Sequence, residues 1–331
     1  MLNRDTLRQL LACHSTSGDE AEVRDVLVQA WQRAGLNVTH LGEYAVHASL
    51  PARSRKPILL ITAHMDSPGF TIDRLKTAGG RAGSAGMTSL GHPSMAADRV
   101  AGVLKTCDGQ HTPVTIRKIR RRGGEVDFRC EPVAPARRLP EALGHGDRVC
   151  YASAPEFDGD QISSPFLDNR LGCWLLAELA PRIAAWKSRW QIVLGATSSE
   201  EMGGMGAPVL ARQVRPDFVI VLDATYEALD QDVRLGNGPV LTLSDASVLL
   251  SPARRDRVKK VLATAGVALQ TEVYNYSGTD ARAFPQQGLA SPVLALLLAT
   301  TGNHSPRETA DLRDAEHLVA ALEILAREEH P

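Results

Sequence analysis

PILLITAHMD (residues 57–66) is an apolar run that passes directly into His64, Met65 and Asp66. A short apolar segment without polar alternation, opened by proline, is the pattern of a strand buried on both faces of a parallel sheet. The pattern recurs in QIVLGATSSEE (191–201), DFVIVLDA (217–224) and PVLALLLATTGNHS (292–305). Each run ends in acids or histidine. In open α/β sheets the functional groups collect at the carboxyl ends of the strands. That rule places His64, Asp66, Glu200, Glu201, Asp223 and His304 on one edge.

Working outward, helical periodicity lies between these runs: DTLRQLLACHS and EAEVRDVLVQAWQRAG before them, with Gly35 as a helix stop, and DNRLGCWLLAELAPRIAAW, ARRDRVKKVLATAG and DAEHLVAALEILAREEH later. Strands alternating with helices give the α/β class, a three-layer α/β/α sandwich. From Gly69 to Pro155 the texture changes to short alternating runs such as PVTIRKI and VDFRC, with abundant glycine. The expected organisation is therefore a catalytic domain made of residues 1–68 and 156–331, interrupted by a small β-rich, barrel-like domain at 69–155. Within it TAGGRAGSAGMTSLGHPS (77–94) reads as a mobile loop.

At 331 residues the chain exceeds the size at which one core usually stops growing. A formal charge of −1 gives no general attraction to nucleic acid or to acidic membranes. No run reaches the roughly 20 apolar residues of a transmembrane helix, and the N-terminus reads as an amphipathic helix, not a secretory signal. Cys13, Cys107, Cys130, Cys150 and Cys173 are scattered, without Cys-x-x-Cys spacing, so neither a disulfide framework nor a thiolate zinc site is expected. These features point to a cytoplasmic protein.

The edge residues are imidazoles and carboxylates, joined by Asp168 just before a helix. Mixed His and carboxylate donors suit zinc or a similar divalent ion, and a carboxylate can bridge two ions. His64 and Asp66, two apart at a strand end, leave one face, so Asp66 can accept the second ring N–H of His64. Adjacent Glu200 and Glu201 point different ways, which suits one as ligand and the other as proton carrier. Singly, each has a plainer reading: a hydrogen-bonded strand-end histidine, a helix cap at Asp168, a solvated Glu-Glu pair. Their joint occurrence favours the metal site.

Together ITAHMDSPGF, FLDNRLGCW, SSEEMGGMGA, VLDA, GNGPVL, GTDARA and NHSPRETADLRD, in this order, resemble the tetrahedral dinuclear-metal aminopeptidases, metallopeptidase family forty-two, which includes glutamyl and deblocking aminopeptidases. The resemblance implies a phosphorylase/hydrolase-like fold with two divalent ions, zinc first and cobalt or manganese as alternatives. It implies one ion on His64, Asp168 and Asp223 and another on Asp168, Glu201 and His304, with Glu200 as general base and then acid. It also implies dimers building tetrahedral dodecamers through the inserted domain. Ser67, where the family commonly has an acid, and the ATTGNHS segment are departures beside the expected pocket.

The leading expectation is thus a metallo-aminopeptidase acting on peptides or small amides. An amidohydrolase for N-acylated amino acids or modified peptides is the alternative. A binding or scaffold protein is the reading from another class; its support is the basic stretch IRKIRRR (116–122), which Glu125 and Asp127 offset. No nucleic-acid or membrane partner is expected.

Overall fold

The apolar runs lie side by side at the centre of one sheet. In the computed structural model, which describes residues 2–51, 56–78 and 81–329, the strands Gln191–Thr197, Ile58–His64, Phe218–Tyr226 and Val293–Thr301 are neighbours and parallel. Antiparallel strands extend the sheet on both sides: Ala45–Ser49 and Asn37–Leu41 on one, Glu308–Asp311, Gln161–Ser164 and Glu156–Asp158 on the other. Two further strands, Val240–Asp245 and Gln270–Tyr274, pair with each other, and the first also pairs with Val293–Thr301.

Alternation along the central strands divides the core in two. Leu59, Ile61, Ala63, Ile192, Leu194, Ile220 and Leu222 pack with Leu7, Leu10, Leu27, Trp31, Trp174 and Leu318 of four helices. The intervening Leu60, Val193, Val219, Val221 and Leu297 pack with Leu210 and Phe284 on the opposite face. A sheet buried on both faces needs this continuous apolar text, and two helical layers follow from it. Gly195 permits the close approach of one layer: a Cβ there would lie 2.7 Å from Leu210 Cδ2.

Six strands, in the spatial order Gly69–Ala78, Arg81–Leu90, Val126–Pro132, His111–Arg120, Arg99–Lys105 and Arg148–Tyr151, close into a barrel. Phe70, Ile72, Ala85, Met87, Leu104, Ile116, Cys130 and Val149 are buried among its strands. The glycine- and serine-rich stretch expected as a loop instead supplies the strand Arg81–Leu90, with Gly79 and Gly80 outside the described residues. Its small residues serve packing: at Gly86 a Cβ would meet Arg74 Nε at 2.7 Å. The helix expected to run to Trp186 has regular geometry only to Leu179, because Pro181 cannot continue the ladder.

Among the described residues no helix is long and apolar enough to cross a membrane. The five cysteines are free thiols. The basic stretch 116–122 is tied to acids: Arg117 to Glu131, Arg120 to Asp98 and Arg121 to Asp127.

Candidate metal centre

His64 ends its strand level with Thr197 of the neighbouring strand. Its Nε2 lies 3.2 Å from Asp168 Oδ1 and 3.2 Å from Asp223 Oδ1. Asp168 reaches the site from the segment leading into the helix Leu167–Leu179, with non-helical backbone at Asp168 and Asn169. The other oxygen of Asp168 faces a second imidazole, with Oδ2 3.4 Å from His304 Nε2. Glu201 Oε1 is 3.3 Å from the same nitrogen. The carboxylate of Asp168 therefore stands between two histidines, each with a further acid beside it. Donor atoms of His64, Asp168 and Asp223 lie within 4.8 Å of one another, as do those of Asp168, Glu201 and His304.

Hydrogen bonds behind this cluster hold its members. His64 Nδ1 is 3.1 Å from the Asp66 carbonyl and 3.3 Å from Asp66 Oδ1. Asp66, fully buried, accepts from Ser17 Oγ and from the backbone N–H groups of Glu200 and Glu201. Ser67 Oγ donates to the Asp168 carbonyl. Glu308 accepts from the N–H of Asp168 and the N–H of His304, both at 2.9 Å. The left-handed backbone of His304, at φ 64°, is thus tied on its own N–H.

Electrostatics show what the cluster lacks. Burial opposes a charged His64, but Asp223, Asp168 and Asp66 outweigh it and raise its pKa well above the usual value. Burial also opposes charge on His304, which Asp168 and Glu201 push up to about 12. Burial raises Glu201 to about 7, and it raises Glu200 well above the carboxylate range, with Asp223 and Asp280 adding to the effect. Buried Asp168 Oδ1 and Glu201 Oε1 receive no well-formed hydrogen bond. Among the described residues, no lysine or arginine lies within 4 Å of Asp168, Glu201 or Asp223. Buried acids without fixed cations are costly unless paired. Two imidazoles and three carboxylates, two of whose oxygens are unfilled acceptors, fit a divalent ion.

The family model of the M42 glutamyl aminopeptidases matches residues 136–320, more than half of the chain. The chain belongs to this family. It is accordingly a hydrolase of the aminopeptidase class, and divalent metal use is typical of M42 peptidases. It is 27% identical to the glutamyl aminopeptidase of Lactococcus lactis subsp. cremoris, covering 84% of this chain and 83% of that protein. It is 23% identical to the lysyl aminopeptidase of Pyrococcus furiosus over 100% and 99% of the two chains. The TET1 peptidase of Pyrococcus horikoshii, described as able to assemble into a tetrahedron or a large octahedral shell, superimposes with a TM-score of 0.84 at 23% identity, covering 98% of this chain and 99% of that one. That likeness shows a shared fold.

All seven residues singled out in the sequence lie in or directly behind the cluster of this M42 chain. Sequence reasoning missed Glu308, Ser17 and Asp280. Glu308 sits inside NHSPRETADLRD, four residues after His304, but its partners are backbone N–H groups, one of His304 nearby and one of Asp168, 140 residues away. Asp280 accepts from Thr197 Oγ1 at 2.5 Å, and burial raises it to about 6. The cluster lies in the wall of a cavity of about 450 Å³ that is also lined by Glu200, Thr225, Tyr226, Asp245, Glu272 and Arg282.

Proposed function

We propose that this chain removes amino-terminal residues from peptides with two divalent ions, zinc by donor type, held by His64, Asp168 and Asp223 and by Asp168, Glu201 and His304. The observation that carries this reading is the Asp168 carboxylate, one oxygen facing His64 and the other facing His304. Ions bound there would lower the pKa of water toward neutrality and polarise the scissile carbonyl.

The chain's own groups supply the rest. Glu200 lies in the cavity wall, and its raised pKa suits a carboxylate that takes a proton from the attacking water and passes it to the leaving nitrogen. Asp66 positions His64 through Nδ1, and through two backbone N–H groups it holds Glu200 and Glu201. The barrel, residues 69–155 in this division of the chain, is assigned to subunit contacts within a tetrahedral homo-oligomer of the kind described for TET1. Free thiols, including exposed Cys107, suit a cytoplasmic location.

Zinc-loaded protein is to be assayed on aminoacyl amides with free and acetylated amines, with and without chelator. Chelator-sensitive hydrolysis of the free-amine series is expected. Preference for the acetylated series would favour the amidohydrolase reading, and loss of activity on neither series after chelation would remove metal from the reaction. No turnover of any amide by zinc-loaded protein would favour a binding protein.

A further inference from the structure

The cavity continues past the metal cluster along the strand Phe218–Tyr226. Thr225 follows Asp223 by two residues, so both side chains leave the same face about 7 Å apart, and both line the cavity. Thr225 Oγ1 donates to Glu272 Oε2 at 2.6 Å, and Thr242 Oγ1 donates to Glu272 Oε1 at 2.8 Å. Two hydroxyl donors fix this carboxylate with its remaining lone pairs unclaimed. Glu272 is only 4% exposed, yet it lines the cavity.

Asp245 lines the same cavity and is close enough to Glu272 to add to the upward pull of burial on its pKa. Asp245 is itself held by the N–H groups of Ser247 and Val248. Among the described residues, neither acid has a lysine, arginine or histidine nitrogen within 4 Å, and a buried carboxylate of this kind is stabilised by a cation that arrives with a ligand. The cavity also offers aromatic walls: the rings of Tyr226 and Tyr274 are 5.7 Å apart, as are those of Tyr274 and Tyr276. Such walls suit an aliphatic stem ending in a positive charge.

We propose that Glu272 is the specificity-determining residue for the first substrate side chain and selects lysine or arginine at the peptide amino terminus. This rests on the aminopeptidase reading of the neighbouring cluster. A lysyl ammonium reaches about 6 Å from its α-carbon, comparable with the strand repeat of about 7 Å from Asp223 to Thr225, the residue that holds Glu272. Arg282 lines the same cavity and is the group that would draw an acidic side chain instead.

The test compares kcat/KM of zinc-loaded protein on Lys-, Arg-, Leu- and Glu-aminomethylcoumarin, with calorimetric binding of L-lysinamide and L-leucinamide. The Lys:Leu ratio is expected to exceed about 10. Glu272→Gln is expected to lower that ratio at least about tenfold, and Glu272→Asp, which keeps the charge at shorter reach, to restore part of it. A purely structural role would depress Lys and Leu together and leave the ratio fixed, which would overturn the proposal. So would a preference for Glu or Leu in the unmodified protein. Should no reporter be cleaved while lysinamide binds better than leucinamide in a Glu272-dependent way, the pocket stands and the aminopeptidase reading falls.

Discussion

Replacing Glu308 by alanine tests how the bridging acid and the last histidine are held. In the intact chain one buried carboxylate accepts from Asp168 N–H and His304 N–H, at 2.9 Å each. Glu308 is 1% exposed, so water cannot readily take over the two donors. A buried donor stripped of its partner costs about 1–3 kcal/mol, so the pair gives roughly 2–6 kcal/mol for Glu308→Ala. Glu308→Gln keeps one acceptor oxygen and turns an NH₂ toward the other donor, so about half of that loss is expected. Urea unfolding of metal-free protein, followed by near-ultraviolet circular dichroism, measures the difference. Both residues released by the substitution belong to the proposed second site, so zinc affinity should also fall about 10–100-fold, as for other groups that orient ligands. Glu308→Ala within about 0.5 kcal/mol of the parent, with zinc affinity unchanged, would refute the reasoning, since surface-like behaviour has that size.

Glu200→Gln should retain both ions while turnover falls about 10²–10⁴-fold, whereas Glu201→Gln should lose metal at one site; elemental analysis beside kcat distinguishes the two, and the opposite pattern would exchange their roles. Metal-free protein should lose stability as pH rises from about 4 to 7. Burial raises Glu20 to about 7 and Asp314 to about 6, so the folded state holds protons that the unfolded chain has already released across that window. Asp66, held low by His64 and Ser17 against burial, acts in the opposite sense only below about pH 4, and His14, which burial lowers to about 3, opposes the trend up to about pH 6.5 without matching the acids together. Urea midpoints that climb steadily from pH 5 to 7 would contradict this assignment. Zinc uptake at fixed pH should release protons, because the acids around His64 and His304 raise both imidazoles in the metal-free chain; a titration in two buffers of different ionisation enthalpy reads the number released.

The central sheet was legible because burial on both faces requires uninterrupted apolar text, and PILLITA or PVLALLLAT can hardly be anything else in an α/β chain. The strand ends then disclosed His64 and Asp223. Asp168 was different: before a helix it looks like a cap, and only the motif set distinguished it. The stretch 77–94 misled because glycine and serine mark loops by their conformational freedom, whereas in Arg81–Leu90 their small size admits neighbouring side chains such as Arg74. Glu308 and Glu272 were hidden for a common reason. Glu308 acts through backbone N–H groups, which no residue type marks, one of them on distant Asp168, and Glu272 acts through the remote hydroxyls of Thr225 and Thr242, so neither carries a local pattern.

The most direct measurement is metal content per chain at saturation, by mass spectrometry of the metal after dialysis, for the intact protein and for Asp168→Ala. With Asp168 shared between the two sites, the account predicts two ions per chain in the intact protein and impaired retention at both sites in Asp168→Ala, with hydrolysis lost. A saturating content of one ion in the intact protein, or two firmly retained ions in Asp168→Ala, would contradict it.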